Sequence, residues 1–185
     1  MKRFAKILSL CMATVFAIST FTINSYAMSK VAEEHRRDLT AEEITTIQTI
    51  FVADHYGKLY PDVVKELGND PGVLFNHFIT FGIWEQRQPS AWFNVDAYAS
   101  RNYDLQPIFG DDIIVYYMHY CTTKNEWKTR PTPTKEGALW DNANVYSVYD
   151  FVKGQQGPKK GAIPVMTPNS HPGVYVEQLQ NDEKK

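Results

Sequence analysis

The sequence predicts an all-α protein, a small helical repeat domain made of two tandem units and followed by a largely irregular C-terminal extension. Three observations predict it. Shifting the chain against itself by 42 residues aligns Phe51, Asp54, Tyr56, Asp62, Gly68, Asp70, Val73, His77 and Thr80 with Phe93, Asp96, Tyr98, Asp104, Gly110, Asp112, Val115, His119 and Thr122. That is nine identities over 38 ungapped positions, where about two arise by chance. Capping residues precede apolar side chains at helical spacing, as where Thr40 and Glu43 lead into Ile44, Ile47 and Ile50. Beyond Arg130 the composition turns to Gly, Pro, Asn and Gln, which opposes regular structure.

Taken in order, residues 1–27 carry Lys2, Arg3 and Lys6, an apolar run from Ile7 to Phe21, and Ser25-Tyr26-Ala27 before a cut. This is the pattern of a signal peptide, and it implies a secreted or cell-surface protein. The run is short for a membrane span and no later stretch approaches about 18 apolar residues, so no transmembrane segment is expected after cleavage. Leu10 before Cys11 argues against a lipid anchor there. Residues 28–39 are polar and read as a flexible N-terminal arm. The helical domain then covers 40–130. A helix starts at Ala41 and is expected to run toward Val52 or Tyr56. Repeat units follow at 51–92 and 93–130, with Pro89-Ser90 at the joint.

Each unit parses into three helices. A short one lies around Asp54 to Lys58, or Asp96 to Arg101, and a second at Asp62 to Leu67, or Asp104 to Phe109, closed by Gly68 or Gly110. Asp70 or Asp112 caps the third, with Pro71 at its first position in the first unit. Val73, Leu74, His77, Phe78 and Phe81 share one face of that helix; Val115, Tyr116, His119, Tyr120 and Thr123 share the other's. One unit cannot enclose a core alone, so the two are expected to pack together. The extension, 131–185, begins with the extended Pro131-Thr132-Pro133-Thr134 and contains one short helix at Asn144 to Val152. Gly173 to Leu179 is the last candidate element. Whether the extension wraps the core or serves as an attachment arm stays open.

Loss of residues 1–27 leaves 16 basic against 21 acidic side chains, and the formal charge moves from -2 to -5. With basic pairs only at Arg36-Arg37, Lys159-Lys160 and Lys184-Lys185, no nucleic-acid partner is expected. Cys121 has no partner for a disulfide once Cys11 leaves, and its apolar helical setting predicts an inert packed thiol rather than a nucleophile.

The motifs themselves resemble a family of tandem repeats of about 40 residues found in bacterial exported and surface proteins. Its units read F-D-x-x-Y-Y, Y-P-D-V, an acid-capped helix ending in H-Y or H-F, and a G-x-x-E-G-R close. The first unit carries Phe51, Asp54, Tyr56, Tyr60-Pro61-Asp62-Val63, Asn76-His77-Phe78 and Gly82-Ile83-Trp84-Glu85-Gln86-Arg87. The second keeps Phe93, Asp96, Tyr98, Asp104-Leu105, Phe109-Gly110-Asp111 and His119-Tyr120, but has Asn102-Tyr103 for the Tyr-Pro pair and Lys124-Asn125-Glu126-Trp127 at the close. Gln86 stands where the family prefers Gly. The resemblance, over residues 51–130, implies a wall- or glycan-associated accessory role and supplies no catalytic residues.

Read for chemistry, Asp54, Tyr56, Asp62, His77, Asp96, Tyr98, Asp104 and His119 are structural repeat positions. His77 and His119 are expected to bond across their units, to the carboxylates of Asp54 and Asp96 or to backbone carbonyls; Asp62 and Asp104 look like caps. No two of His35, His55, His77, His119 and His171 stand three to five apart, so no metal is expected. Asp111-Asp112 and Asn69-Asp70 lack the ligand alternation of a calcium loop. No nucleophile motif or carboxylate pair is distinguished, and neither catalytic residues nor cofactors are predicted. The ligand-binding candidates are Trp84, Arg87, Trp92 and Trp127, whose rings and guanidinium suit sugar or protein surfaces. The leading expectation is a non-catalytic module binding cell-wall or other extracellular glycan. A structural or protein-interaction module with an exported partner comes second, and a cell-wall hydrolase last.

Overall fold

The computed structural model describes residues 28–168, and these are mostly helical, with isolated bridges but no strand. The candidate signal sequence at 1–27 and the candidate element at 173–179 lie outside the described residues. Helix α1 (Lys30–His35) occupies the segment expected to be a flexible arm. Its composition hid two anchors. Ser29 accepts from the Ala32 amide at 3.2 Å and Ala32 is fully buried. His35 stacks on Tyr149 at 4.2 Å and lies 3.2 Å from an Asp111 oxygen.

Helix α2 (Ala41–Gln48) begins with the expected capping box, Thr40 and Glu43 exchanging hydrogen bonds of 3.2 and 2.8 Å. A bidentate bond from Arg37 holds the Glu43 carboxyl down to about 2. The helix stops sooner than expected because the chain must turn out to deliver the Val52 amide to the Pro89 carbonyl, 2.9 Å away.

Helices α3 (Ala53–Leu59), α4 (Pro61–Leu67) and α5 (Pro71–His77) form the first segment. Pro61 and Pro71 sit at first helical positions, where a missing N–H costs nothing, and the Asp70 carboxylate caps the Val73 amide at 3.0 Å. A π-helical turn, Phe78–Gly82, extends α5. The second segment holds α6 (Val95–Arg101), α7 (Gln106–Phe109) and α8 (Ile113–Thr122). Asn94 caps α6, but Asp112, at the start of α8, makes no side-chain capping bond, contrary to expectation. Gly68 and Gly110 adopt φ of 80° and 58°, so each closing turn uses the left-handed region as expected.

One core joins these pieces. α2 packs on α8, α3 on α5 and α6 on α8. At the centre Tyr117 meets Phe78 of the first segment edge-on at 6.1 Å and Phe93 at 5.0 Å.

The described part of the extension folds back on this core. Pro133 accepts from the Asn94 amide at 2.7 Å, and Arg101 bonds the Thr132 carbonyl and the Asp141 carboxylate. An unforeseen helix α9 (Lys135–Trp140) follows, capped by Thr134. The helix expected over Asn144 to Val152 is only a 3-10 turn, Val148–Asp150. Val145 and Val148, though not the exposed Val152, point inward for another reason: Val145 pairs with Met166, and the Ser147 hydroxyl caps the Val148-Tyr149 turn. Val145, Val148 and Phe151 are buried.

Candidate functional site

Each aligned segment builds the same polar cluster. In the first, the Tyr56 hydroxyl lies 3.0 Å from His77 Nδ1; in the second, Tyr98 lies 2.8 Å from His119 Nδ1. Both pairs are separated by 21 residues. The histidines do bond across their units, but to tyrosine hydroxyls and not to Asp54 or Asp96. Burial, reinforced by the nearby Arg87, lowers His77 to about 4; burial and Arg130 likewise lower His119. Burial raises both tyrosines. A neutral imidazole therefore accepts the phenolic hydrogen in each pair.

Beside each pair sits an arginine clamp. Arg87 Nε donates to Glu85 at 2.6 Å, with its guanidinium 3.6 Å from Asp62 and stacked 4.8 Å from the Tyr60 ring. Arg130 donates to Glu126 at 2.7 Å, to Asp104 through two bonds of 3.1 Å and to Asn102 at 2.8 Å. Asp62 and Asp104 are thus clamp partners, not helix caps. Asn102 occupies the position of Tyr60 and serves the same arginine by accepting a hydrogen bond instead of stacking. Glu126 and Arg130 fall one position either side of the 42-residue register, so an ungapped comparison sets Trp127 and Thr129 opposite Glu85 and Arg87. Two extra residues separate Glu126 from Arg130 relative to Glu85 and Arg87, so finding both needs a gap in the closing loop.

The closing glycine has a steric cause. A Cβ on Gly82 would collide with the Tyr56 hydroxyl and crowd Phe78. Gly82→Ala is expected to lower stability by about 2 kcal/mol. Adding Tyr56→Phe, which removes the oxygen, should recover part of that loss in urea denaturation; additive losses would show that the clash is not the cause.

A second polar group ties the joint to the extension. Gln86 has φ 59°, a left-handed backbone that favours glycine. With its amide nitrogen turned to Asp96, it donates to that carboxylate at 3.1 Å while accepting from Ser147 at 2.9 Å. The Val148 amide donates to Asp96 at 2.8 Å, and the Tyr149 hydroxyl to the Trp84 carbonyl at 2.7 Å. Asp96 is 6% exposed, and burial lifts its carboxyl to about 7. Asp54, its counterpart, is exposed.

These placements divide the ligand-binding candidates. Trp84 is 2% exposed, a core residue that offers no face to a ligand, and Arg87 is committed to its clamp. The Trp84 carbonyl is tied to the Tyr149 hydroxyl, and Arg87 is held by Glu85, Asp62 and the Tyr60 ring. Trp92 and Trp127 are 49% and 42% exposed. Trp127 lies flat on Tyr120, with centroids 4.8 Å apart and planes at 14°, and its indole N–H donates to the Tyr120 carbonyl at 3.0 Å. Tyr120 rests in turn on Phe93 at 4.3 Å. The Lys124 ammonium is 5.8 Å from the Trp127 centroid.

Cys121 is buried, and burial pushes its thiol up to about 11. Among the described residues no three His, Cys, Asp or Glu side chains gather as a metal site, and no helix is long and apolar enough to cross a membrane. Comparison with protein families, curated proteins and solved structures finds no match to the chain, so its own geometry carries the functional reading.

Proposed function

We propose that the chain is an exported, non-catalytic accessory module of two tandem units that binds cell-wall or other extracellular glycan. The observation that carries this is the Phe93–Tyr120–Trp127 stack. Trp127 is half exposed, backed by a ring and fixed by its indole hydrogen bond, so its flat face is held ready without loss of side-chain freedom on binding. Such a face suits the C–H-rich side of a pyranose, and Lys124 at its edge suits a hydroxyl or an acidic sugar. Trp92, next in the chain to Phe93, extends the aromatic supply. The signal sequence and the resemblance to wall-associated repeats support the same reading.

Sedimentation with purified peptidoglycan and wall polysaccharides tests it. Trp127→Ala is expected to weaken binding about tenfold while leaving the circular dichroism spectrum unchanged. Absence of binding by the unaltered protein, or equal binding by the variant, would overturn the assignment.

A protein-interaction role is favoured by a different surface. Tyr103 and Ile108 are exposed around α7, where the Gly154 amide bonds the Pro107 carbonyl and brings the exposed Val152 turn alongside. Capture of an exported protein that is lost with Ile108→Asp and kept with Trp127→Ala would select this reading.

A further inference from the structure

A cavity of about 260 Å³ lies between the turn ahead of α2 and the π-helical turn of the first segment, and its polar lining is uncommitted. Arg36 and Asp38 both stand on its wall. Among the described residues they form no ion pair, with each other or with a third side chain, whereas Arg37 between them is held by two bonds to Glu43. The Thr80 hydroxyl, on the π turn, likewise makes no hydrogen bond there, while its counterpart Thr122 gives its own to the Met118 carbonyl at 2.7 Å. Trp84 offers the cavity no ring face, but its edge is a different matter. The indole N–H of Trp127 donates to a carbonyl, while that of Trp84 has no acceptor among the described residues, and although the residue is 2% exposed its nitrogen is not closed off from solvent. Such a donor, at the rim of an otherwise buried ring, gains from an acceptor brought in from outside the chain.

These groups are also held in place. The Arg36 guanidinium sits 5.1 Å from the Phe81 ring centroid, Arg37 Nη1 donates to the Asp38 carbonyl at 3.0 Å, and Thr80 lies on a π turn, a rare form of helix that recurs at functional sites. The rest of the wall is apolar, from Leu39, Ile44 and Ile79. One positive charge, one negative charge, two neutral donors and an aliphatic patch match the parts of a single small molecule. We propose that this cavity binds a free α-amino acid with an aliphatic side chain. Its carboxylate meets Arg36, the Thr80 hydroxyl and the Trp84 indole N–H, its ammonium meets Asp38, and its side chain rests on the apolar wall. A ligand of one sign would leave the opposite wall charge facing it without a partner, which disfavours a simple acid or amine. Size points the same way, since sites for drug-sized ligands begin near about 300 Å³ and this one is smaller, with room for one residue and not for a peptide. The second segment lacks the site: 42 residues on, Glu126 replaces Trp84 and is bound by Arg130. The inference is independent of glycan binding.

Indole N–H resonances, followed by two-dimensional NMR on the whole chain, test it. The Trp84 resonance is identified by elimination with Trp92→Phe, Trp127→Phe and Trp140→Phe, all exposed rings. It is expected to shift saturably as valine is added, with half-saturation at about 1 mM or below. Arg36→Gln and Asp38→Asn, both at exposed side chains, should each raise that concentration about tenfold or more. N-acetylvaline, which lacks the ammonium, and valinamide, which lacks the carboxylate, should bind more weakly by the same margin. A Trp84 resonance that does not move at about 50 mM valine overturns the proposal. So does a response that survives both substitutions, or N-acetylvaline or valinamide binding as tightly as valine. A shift confined to the Trp127 resonance would place the ligand on the exposed stack and overturn it equally.

Discussion

Replacing Tyr117 with alanine is expected to destabilise the protein by about 4 kcal/mol, a large share of the 5–15 kcal/mol typical of a domain. The ring is fully buried where the two segments meet, against Phe78 on one side and Phe93 on the other. Its removal leaves a cavity bordered by helices from both segments, each already pinned by its own tyrosine–histidine pair and arginine clamp. Those fixed neighbours cannot collapse into the space, which places the cost toward the upper part of the range for aromatic truncation. Tyr117→Phe loses only a 3.4 Å hydrogen bond to the Arg87 carbonyl and should cost about 1 kcal/mol or less. Urea midpoints for the two variants check the ordering. Equal losses would mean that the hydroxyl, and not the packing of the joint, is what matters.

The second large effect is on pH dependence. Asp96 has a folded-state pKa of about 7, raised chiefly by burial and by the Asp150 charge, against the lowering influence of the Val148 hydrogen bond and Lys135; Tyr117 and Tyr149 also face it. Unfolded, an aspartate titrates near 4. Between about pH 4 and 7 the native state holds a proton that the unfolded state has released, so stability falls as pH rises through this window and levels off above it. His77 does the reverse. Its folded value of about 4 lies below the ordinary 6.5, so its contribution is present above about pH 6.5 and is lost as pH falls toward 4. The two slopes oppose each other in the intact protein, and Asp96→Asn should unmask the histidine's. The gap in stability between variant and parent is expected to shift in the variant's favour by about 2–4 kcal/mol from pH 4 to pH 8. Parallel pH profiles for the two proteins would sink this assignment. Gln86 is suited to both charge states: its amide nitrogen serves the ionised carboxylate, and its oxygen, after the amide turns over, accepts the hydrogen of the protonated one.

Much of the helical class and of the internal layout could be read locally. Capping boxes, prolines at first helical positions and left-handed glycines act within a few residues, which is why α2 to α5 were legible and Gly68 and Gly110 were correctly placed. What escaped depends on distant partners. The α1 segment is polar by composition and ordered by Tyr149, over a hundred residues away in the chain. The helix expected at 144–152 is pulled into an extended path by Met166. Trp84 has the composition of a ligand contact, yet it is buried, with its carbonyl tied to Tyr149 far along the chain. Arg130 and Glu126 show a different limit. A guanidinium can reach its carboxylates from either side of a register position, so the contact persists while the alignment column does not.

The separations of these contacts also order the assembly of the chain. The tyrosine–histidine bonds close loops of 21 residues, whereas Asp96 to Val148, Gln86 to Ser147 and Tyr149 to Trp84 span 52, 61 and 65. Closing the longest costs about 1 kcal/mol more chain entropy than closing the shortest, and it has no binding surface until Asp96 and the Gln86 loop are in place. Each segment can therefore lock internally first, and the extension is the last piece to arrive and the first to leave, a strap fastened over a joint that has already formed.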